Sequence, residues 1–405
     1  MLVSRRRTCR SVAPRSLDRA RAARWLAVAV LVGCATPASV WGRTISWHLA
    51  AEGGPELDSN ALRVNQPQTT DLAAPAAAAL FRLSGSAGVK LRLFERHLVA
   101  LDYGGGAKIF VMDEGRPADE LVQYASAGWG LPVGASALLV SGSYYDAFLR
   151  SSTRDFRMGA AGVQLAMGRL PAGLRATFDL GYRGLAYKPL PDYGFHALAG
   201  GLGVSWRGSS GPEHALVEWE LRAAYLAGLR FFAGPVISLP ERCGSGSEFP
   251  CAEDAARRDL HHQLRLEARY LGSASGGLTY SLEVNRSNSY GESFVRHALG
   301  LRFTASMAWG LFLTAKATLQ LSRFQDPFLI SQVSTVSFAS VDDENRSNLL
   351  VQLSKELSDR WAINLRWSLY VNESSTSGDA PAALLPAGGF LRHTLFLGVR
   401  FEYGS

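Results

Sequence analysis

Apolar and polar residues alternate with a period of two along most of this chain. In WAINLRWSLYVN (361–372), Trp361, Ile363, Leu365, Trp367, Leu369 and Val371 fall on one side, and Asn364, Arg366, Ser368, Tyr370 and Asn372 on the other. Successive side chains of an extended strand point to opposite faces, so the stretch reads as a strand with one oily and one wet face. QLRLEARYL (263–271), LTYSLEVN (278–285) and LFLTAKATLQLS (311–322) obey the same rule. Sixteen such runs are predicted, near 44–53, 78–94, 97–111, 120–130, 134–149, 156–168, 174–188, 195–207, 215–233, 260–273, 278–289, 294–307, 311–324, 347–358, 361–373 and 390–403.

Strands of soluble proteins average about five or six residues, whereas tilted strands crossing a bilayer need about nine to eleven, and most of these runs reach the longer figure. The connections alternate in length. ER (95–96), LPV (131–133), RLPAG (169–173), GSSGPEH (208–214), SASG (273–276), AWG (308–310) and DR (359–360) are short. Segments 54–77, 112–119, 150–155, 189–194, 234–259, 289–293, 325–346 and 374–389 are long or polar. A soluble sandwich has no reason to sort its loops by side. The expected fold is all-β: a transmembrane antiparallel up-and-down β-barrel of about 16 strands (about 14–18), with short periplasmic turns and long extracellular loops, in the outer membrane of a Gram-negative cell. Such a lumen is too wide to fill with side chains, so the polar faces should line it and the Leu, Val and Trp faces should meet lipid.

Composition agrees: 47% of residues are hydrophobic, 41 are Gly and 19% are charged. No stretch approaches the 18 apolar residues of a membrane helix. Residues 1–42 stand apart. Arg5, Arg6, Arg7, Arg10, Arg15, Arg19, Arg21 and Arg24 precede the apolar run WLAVAVLVGCA (25–35) and then TPASVWG. This is the layout of a cleaved signal peptide, with cleavage expected after Gly42 or alternatively after Ala35 or Ala38. LVGC (31–34) also has the form of a lipobox, which would leave Cys34 lipidated. The barrel then spans 43–405. The chain has 42 Lys and Arg against 35 Asp and Glu; with eight Arg and one acid, Asp18, in the leader, the remainder carries 34 of each. The basic excess therefore belongs to export and gives no case for nucleic acid. Cys243 and Cys251 bracket GSGSEFP in a polar loop, an expected local disulfide in an exported protein.

The same parity predicts a lumen inventory. Its basic members are Arg82, Lys90, Arg92, Lys108, Arg157, Arg175, Arg183, Arg207, Arg222, Arg230, Arg265, Arg269, Arg296, Arg302, Lys316, Arg366, Arg392 and Arg400; its acids are Asp102, Asp179, Glu218, Glu220, Glu267, Glu283, Glu356 and Glu402. Arg175, Arg183, Arg222, Arg265, Arg269, Arg302, Lys316, Arg366, Arg392 and Arg400 form the candidate substrate path. A basic lumen concentrates anions and offers forked donors to carboxylate, phosphate or sulfate. The alternative is that the charges pair across strands, as RLEAR invites, and only hold barrel shape. Trp129, Tyr144, Tyr145, Trp206, Phe231, Phe232, Trp309, Trp361 and Tyr403 are expected in interfacial girdles. The sequence holds no HExxH, GxSxG, Walker-type loop or CxxC. GGG (104–106) lies within a strand and is read as relieving crowding, and His261 and His262 as pointing to opposite faces. Neither an enzyme, a cofactor nor a metal is expected.

AEGGPELDSNALRV (51–64) resembles the DSN opening of barrels found alongside bacterial exopolysaccharide export systems. LSDRWAINLRWSLYVNESS and FLRHTLFLGVRFEYGS resemble the last hairpin of those barrels and of surface lipoprotein assembly modifiers, although Gly404 and Ser405 follow the final aromatic and the modifiers' helical repeat domain is missing. The first resemblance implies a passive conduit for an anionic exopolysaccharide. Its partners would be outer-membrane lipid, the polysaccharide, a periplasmic or inner-membrane export machinery, and the barrel assembly machinery. The alternatives are a diffusion porin for small anions and a scaffold barrel whose loops bind a surface lipoprotein or motility or adhesion machinery.

Overall fold

The alternating runs pair in chain order, each antiparallel to the next, and the last returns to the first, closing a sixteen-stranded barrel. The computed structural model describes residues 44–60, 77–93, 96–111, 119–150, 155–168, 170, 173–188, 191–210, 217–238, 251–325, 347–372 and 390–404. The strands are β1 (Thr44–Asp58), β2 (Ala78–Leu93), β3 (His97–Phe110), β4 (Glu120–Val133), β5 (Ser136–Leu149), β6 (Phe156–Ala166), β7 (Leu174–Tyr187) and β8 (Phe195–Ser210). They continue with β9 (Val217–Ser238), β10 (Cys251–Leu271), β11 (Ala274–Ser287), β12 (Phe294–Met307), β13 (Leu311–Phe324), β14 (Ser347–Glu356), β15 (Trp361–Asn372) and β16 (Phe390–Gly404). The expected leader, the alternative lipidation at Cys34 and Cys243 lie outside the described residues.

Burial identifies the faces. Glu56 and Asp58 are each 1% exposed, while Leu57 between them is 59% exposed. The exposed row of β1 is apolar and the buried row is charged, so the even positions of β1 face the lumen. Register carries that parity around the ring, through Glu52↔Arg400, Asn364↔Gly398 and Gln352↔Arg366 onward. On the other parity Leu180, Leu198, Leu319 and Leu397 stand more than half exposed. In WAINLRWSLYVN, Asn364 and Ser368 are buried inward, whereas Trp361, Ile363 and Leu365 face out.

Two aromatic girdles bound the outer face. On the turn side Trp47 meets Tyr403 at 5.0 Å, Trp361 meets Phe401 at 4.8 Å and Trp219 meets Tyr270 at 4.9 Å. On the loop side one diagonal recurs: an aromatic residue reaches a histidine on the neighbouring strand, opposite the position two residues further along its own. Tyr225 and Tyr280 hydroxyls lie 2.7 and 2.8 Å from Nδ1 of His262 and His297, Tyr182 pairs likewise with His196, and Trp367 stacks on His393. About ten residues separate Trp206 from His196; at about 3.4 Å each and a tilt of about 40°, that is about 25 Å, the height of a barrel's apolar band.

Three expectations are corrected. Tyr145 and Phe232 face the lumen, not the girdle: Tyr145 pairs with Tyr124, and Phe232 packs against Phe195 at 5.3 Å. Each follows an outward aromatic, and neighbours on a strand take opposite faces. β9 and β10 extend to Ser238 and from Cys251, so the connection read as 234–259 shortens to 239–250. Register shifts between Glu253 and Arg258, opposite Pro235, hid the alternation there. β1 likewise runs on to Asp58, into a segment read as loop. Gly54 makes that extension possible, since a Cβ there would collide with the Leu397 carbonyl on β16.

Leu319→Arg on β13 should therefore destabilise the folded barrel in phospholipid vesicles by about 2–4 kcal/mol, with Thr318→Arg beside it costing less than about 1 kcal/mol, in reversible urea titrations. Equal costs would contradict the assigned faces.

Candidate functional site

The lumen is a charged surface with two halves. Toward the loops the charges are buried and paired. Arg82 donates to Glu56 (Nη2 to Oε1, 2.9 Å), and Arg392 donates to Asp58 through Nε (2.9 Å) across the β1–β16 closure. Arg257 donates to Asp259 (2.8 Å) and lies 2.9 Å from Glu292, while Asn285 donates to Asp259 and to the Glu292 carbonyl, both at 2.9 Å. Lys108 lies 3.9 Å from Glu120. Burying a charge is costly unless the partner and further hydrogen bonds satisfy it, and these groups have both.

The register puts all ten candidate path residues on the lumen face. Six of them are held by carboxylates. Arg222 lies 3.0 Å from Glu220, Arg265 and Arg269 both grip Glu267, Arg366 lies 3.6 Å from Glu52, Arg392 holds Asp58, and Arg400 pairs with Glu402. Arg175, Arg183, Arg302 and Lys316 have no carboxylate within ion-pair reach among the described residues. Among the described residues the lumen face thus carries both paired and unpaired cations, and four of the six pairs join residues two apart on one strand.

Arg157 is a further correction. It pairs with Asp146 at 3.4 Å, and both face outward, since the inward rows beside them are Tyr145↔Met158 and Ala147↔Phe156. Sequence reasoning also missed Glu52, Glu56, Asp58, Glu120, Asp259 and Arg257, which line the lumen. The basic excess is therefore smaller than the inventory implied. The signal was available in the same parity: Glu52 and Glu120 lie within predicted strands, and Glu56, Asp58, Arg257 and Asp259 lie in strand tips that were read as loops.

His261 faces the lumen beside Glu283 (3.9 Å), and His262 faces out toward Tyr225, so the two rings cannot share a metal. Among the described residues no group of three His, Cys, Asp or Glu could hold one. Gly104 lies under the Tyr124 ring, which a Cβ would strike. Cys251 is disulfide-bonded. The lumen holds a cavity of about 490 Å³ between Tyr124, Tyr145, Glu52 and Arg366, and one of about 810 Å³ bounded by β3 to β12.

No protein-family model matches the chain, and no curated protein matches it. Among solved structures it is similar to CdiB from Acinetobacter baumannii, at 10% identity and TM-score 0.44, covering 89% of this chain and 60% of that one. Outer-membrane expressed OmpT of Vibrio cholerae gives 10% identity and TM-score 0.40 over 91% and 100% of the two chains. A bacterial polysaccharide outer membrane secretin gives 9% and 0.37 over 89% and 98%. The likeness is one of barrel architecture.

Asp58→Asn should strand the buried Arg392 charge and cost about 3–5 kcal/mol, with a double replacement of the pair by apolar residues recovering most of it, read as barrel unfolding on heating. An unchanged single variant would contradict the role of the pair at the closure. The chain is a closed, sixteen-stranded transmembrane β-barrel with an ion-paired loop-side lumen and, among the described residues, partly unpaired basic groups along its wall.

Proposed function

We propose that this barrel is a passive outer-membrane conduit with a basic lumen, through which an anionic exopolysaccharide leaves the cell. The observation that carries the reading is the set of lumen-facing cations, Arg175, Arg183, Arg302 and Lys316, that lack carboxylate partners among the described residues. Such groups attract acidic sugars and release them, because each contact is weak and another lies further along the wall. Polymerisation or an inner-membrane machinery supplies the energy.

An anion-preferring porin is the second reading, favoured by the same charges; it conducts in planar bilayers without any partner. A scaffold barrel is favoured by the β9–β10 hairpin, whose 22- and 21-residue strands exceed what crossing requires.

Replacing Arg265, Arg269, Arg366 and Arg400 together by Gln frees their carboxylates in the lumen. The anion-to-cation permeability ratio should fall by about threefold or more, and surface polymer should fall with it. Unchanged selectivity together with unchanged surface polymer would contradict the conduit.

A further inference from the structure

Of the arginines lining the cavity of about 810 Å³, Arg183 and Arg230 have no carboxylate within ion-pair reach among the described residues, whereas Arg265 and Arg296 are paired with Glu267 and Glu283. Arg183 on β7 and Arg230 on β9 stand in one lateral row with only Ala197 of β8 between them. Adjacent strands are about 4.8 Å apart, so the two backbones lie about 10 Å from each other and the guanidinium groups share the space over a methyl group. Arg230 lies within electrostatic reach of the carboxylates of Asp259 and Glu283 and of the like charges of Arg183 and Arg296.

The nearby acids are already committed. Asp259, opposite Arg230, is taken by Arg257 and Asn285. Glu283 accepts from Arg296 at 3.1 Å and from Gln263 at 3.0 Å. Arg296 is 5% exposed and lines the cavity; its Nε donates to Ser322, yet its buried Nη2 has no partner among the described residues. A buried donor without an acceptor is costly, and an incoming oxyanion removes that cost. The arginines are also braced on rings, Arg296 over Phe294 at 4.5 Å and Arg230 over Phe195 at 5.6 Å. Little side-chain freedom is left for a ligand to freeze.

A bare inorganic anion does not account for the rest of the wall. Asp179 faces the same cavity, held by Gln164 at 2.6 Å, and can accept a hydroxyl but repels a free anion. A ligand that carries one carboxylate among several hydroxyl groups satisfies both ends. The cavity also falls within the usual range for organic ligands. We infer that Arg183, Arg230 and Arg296 form a binding site for the carboxylate of an acidic sugar unit, with Asp179, Gln164 and Gln263 taking its hydroxyl groups. The assignment deepens the conduit reading and rests on it for the identity of the polymer.

The test is direct binding to the full barrel in detergent micelles, with a uronic-acid hexamer as probe. The variant is R183Q/R230Q, which leaves the Arg296–Glu283 pair intact and orphans no acid. The hexamer should bind wild type and lose about tenfold or more in affinity to the variant, whose heat-induced mobility shift is unchanged. A neutral glucose hexamer and inorganic phosphate should bind far more weakly. Equal affinity of the two proteins, or equal binding of the neutral hexamer or of phosphate, would overturn the site. The four-arginine selectivity experiment reports on the conduit separately: hexamer binding that survives there without any export defect keeps the site and removes the conduit.

Discussion

A strand edge inside a bilayer would leave its amides and carbonyls without partners, and the pairing of β1 with β16 from His48↔Gly404 to Asp58↔Thr394 removes that edge. Everything else in the barrel is conditional on this closure. It turns a sheet into a cylinder, so that each strand has a defined inside and outside. A slip of one residue at the seam would exchange the faces of a whole strand. The buried Arg392–Asp58 and Arg82–Glu56 contacts and the close approach at Gly54 all lie at or beside it. They oppose such a slip where first and last strands, far apart in sequence, must find one another.

Once the faces are set, the lumen and the lipid surface follow from the same residues. Leu and Val on one parity meet hydrocarbon, and Arg and Glu on the other meet water or each other. The Tyr–His diagonals on the loop side give the outer surface a polar margin, where Tyr hydroxyls reach toward the headgroups. Inside, the ion pairs near the loops are buried structure, while the wall between β7 and β13 keeps guanidinium groups available. Paired and unpaired charges therefore occupy the same face of the same strands, separated by which acids lie beside them among the described residues.

Much of this was legible in the sequence. The alternation in β15 gives both its length and its faces, and the sorted connections give the barrel and its strand count. The tips were harder. Pro235 and the irregular pairing near Ala256 break the period of two, so β9 and β10 read as shorter than they are. Reading β1 as ending near Gly53 put Glu56 and Asp58 in a loop, and the inventory lost two acids that close the seam. Arg157 was placed inside by a one-residue error in the parity assigned to β6, and with Asp146 opposite it makes an outward pair. Arg222, Arg265, Arg269 and Arg400 pair with acids two residues away on their own strands, whereas the pairing of Arg366 and Arg392 depends on cross-strand register, which no single strand encodes.

The central claim is that a closed ring of strands meets lipid with one parity and water with the other. It is tested most directly on β15 in reconstituted vesicles, using single cysteines at consecutive positions from Leu365 to Leu369 and a water-soluble thiol reagent, with brominated lipid as quencher of Trp367. The account predicts faster labelling at position 366 than at 365 and 369, and strong quenching of Trp367. Uniform labelling along the strand, or a Trp367 untouched by brominated lipid, would contradict it.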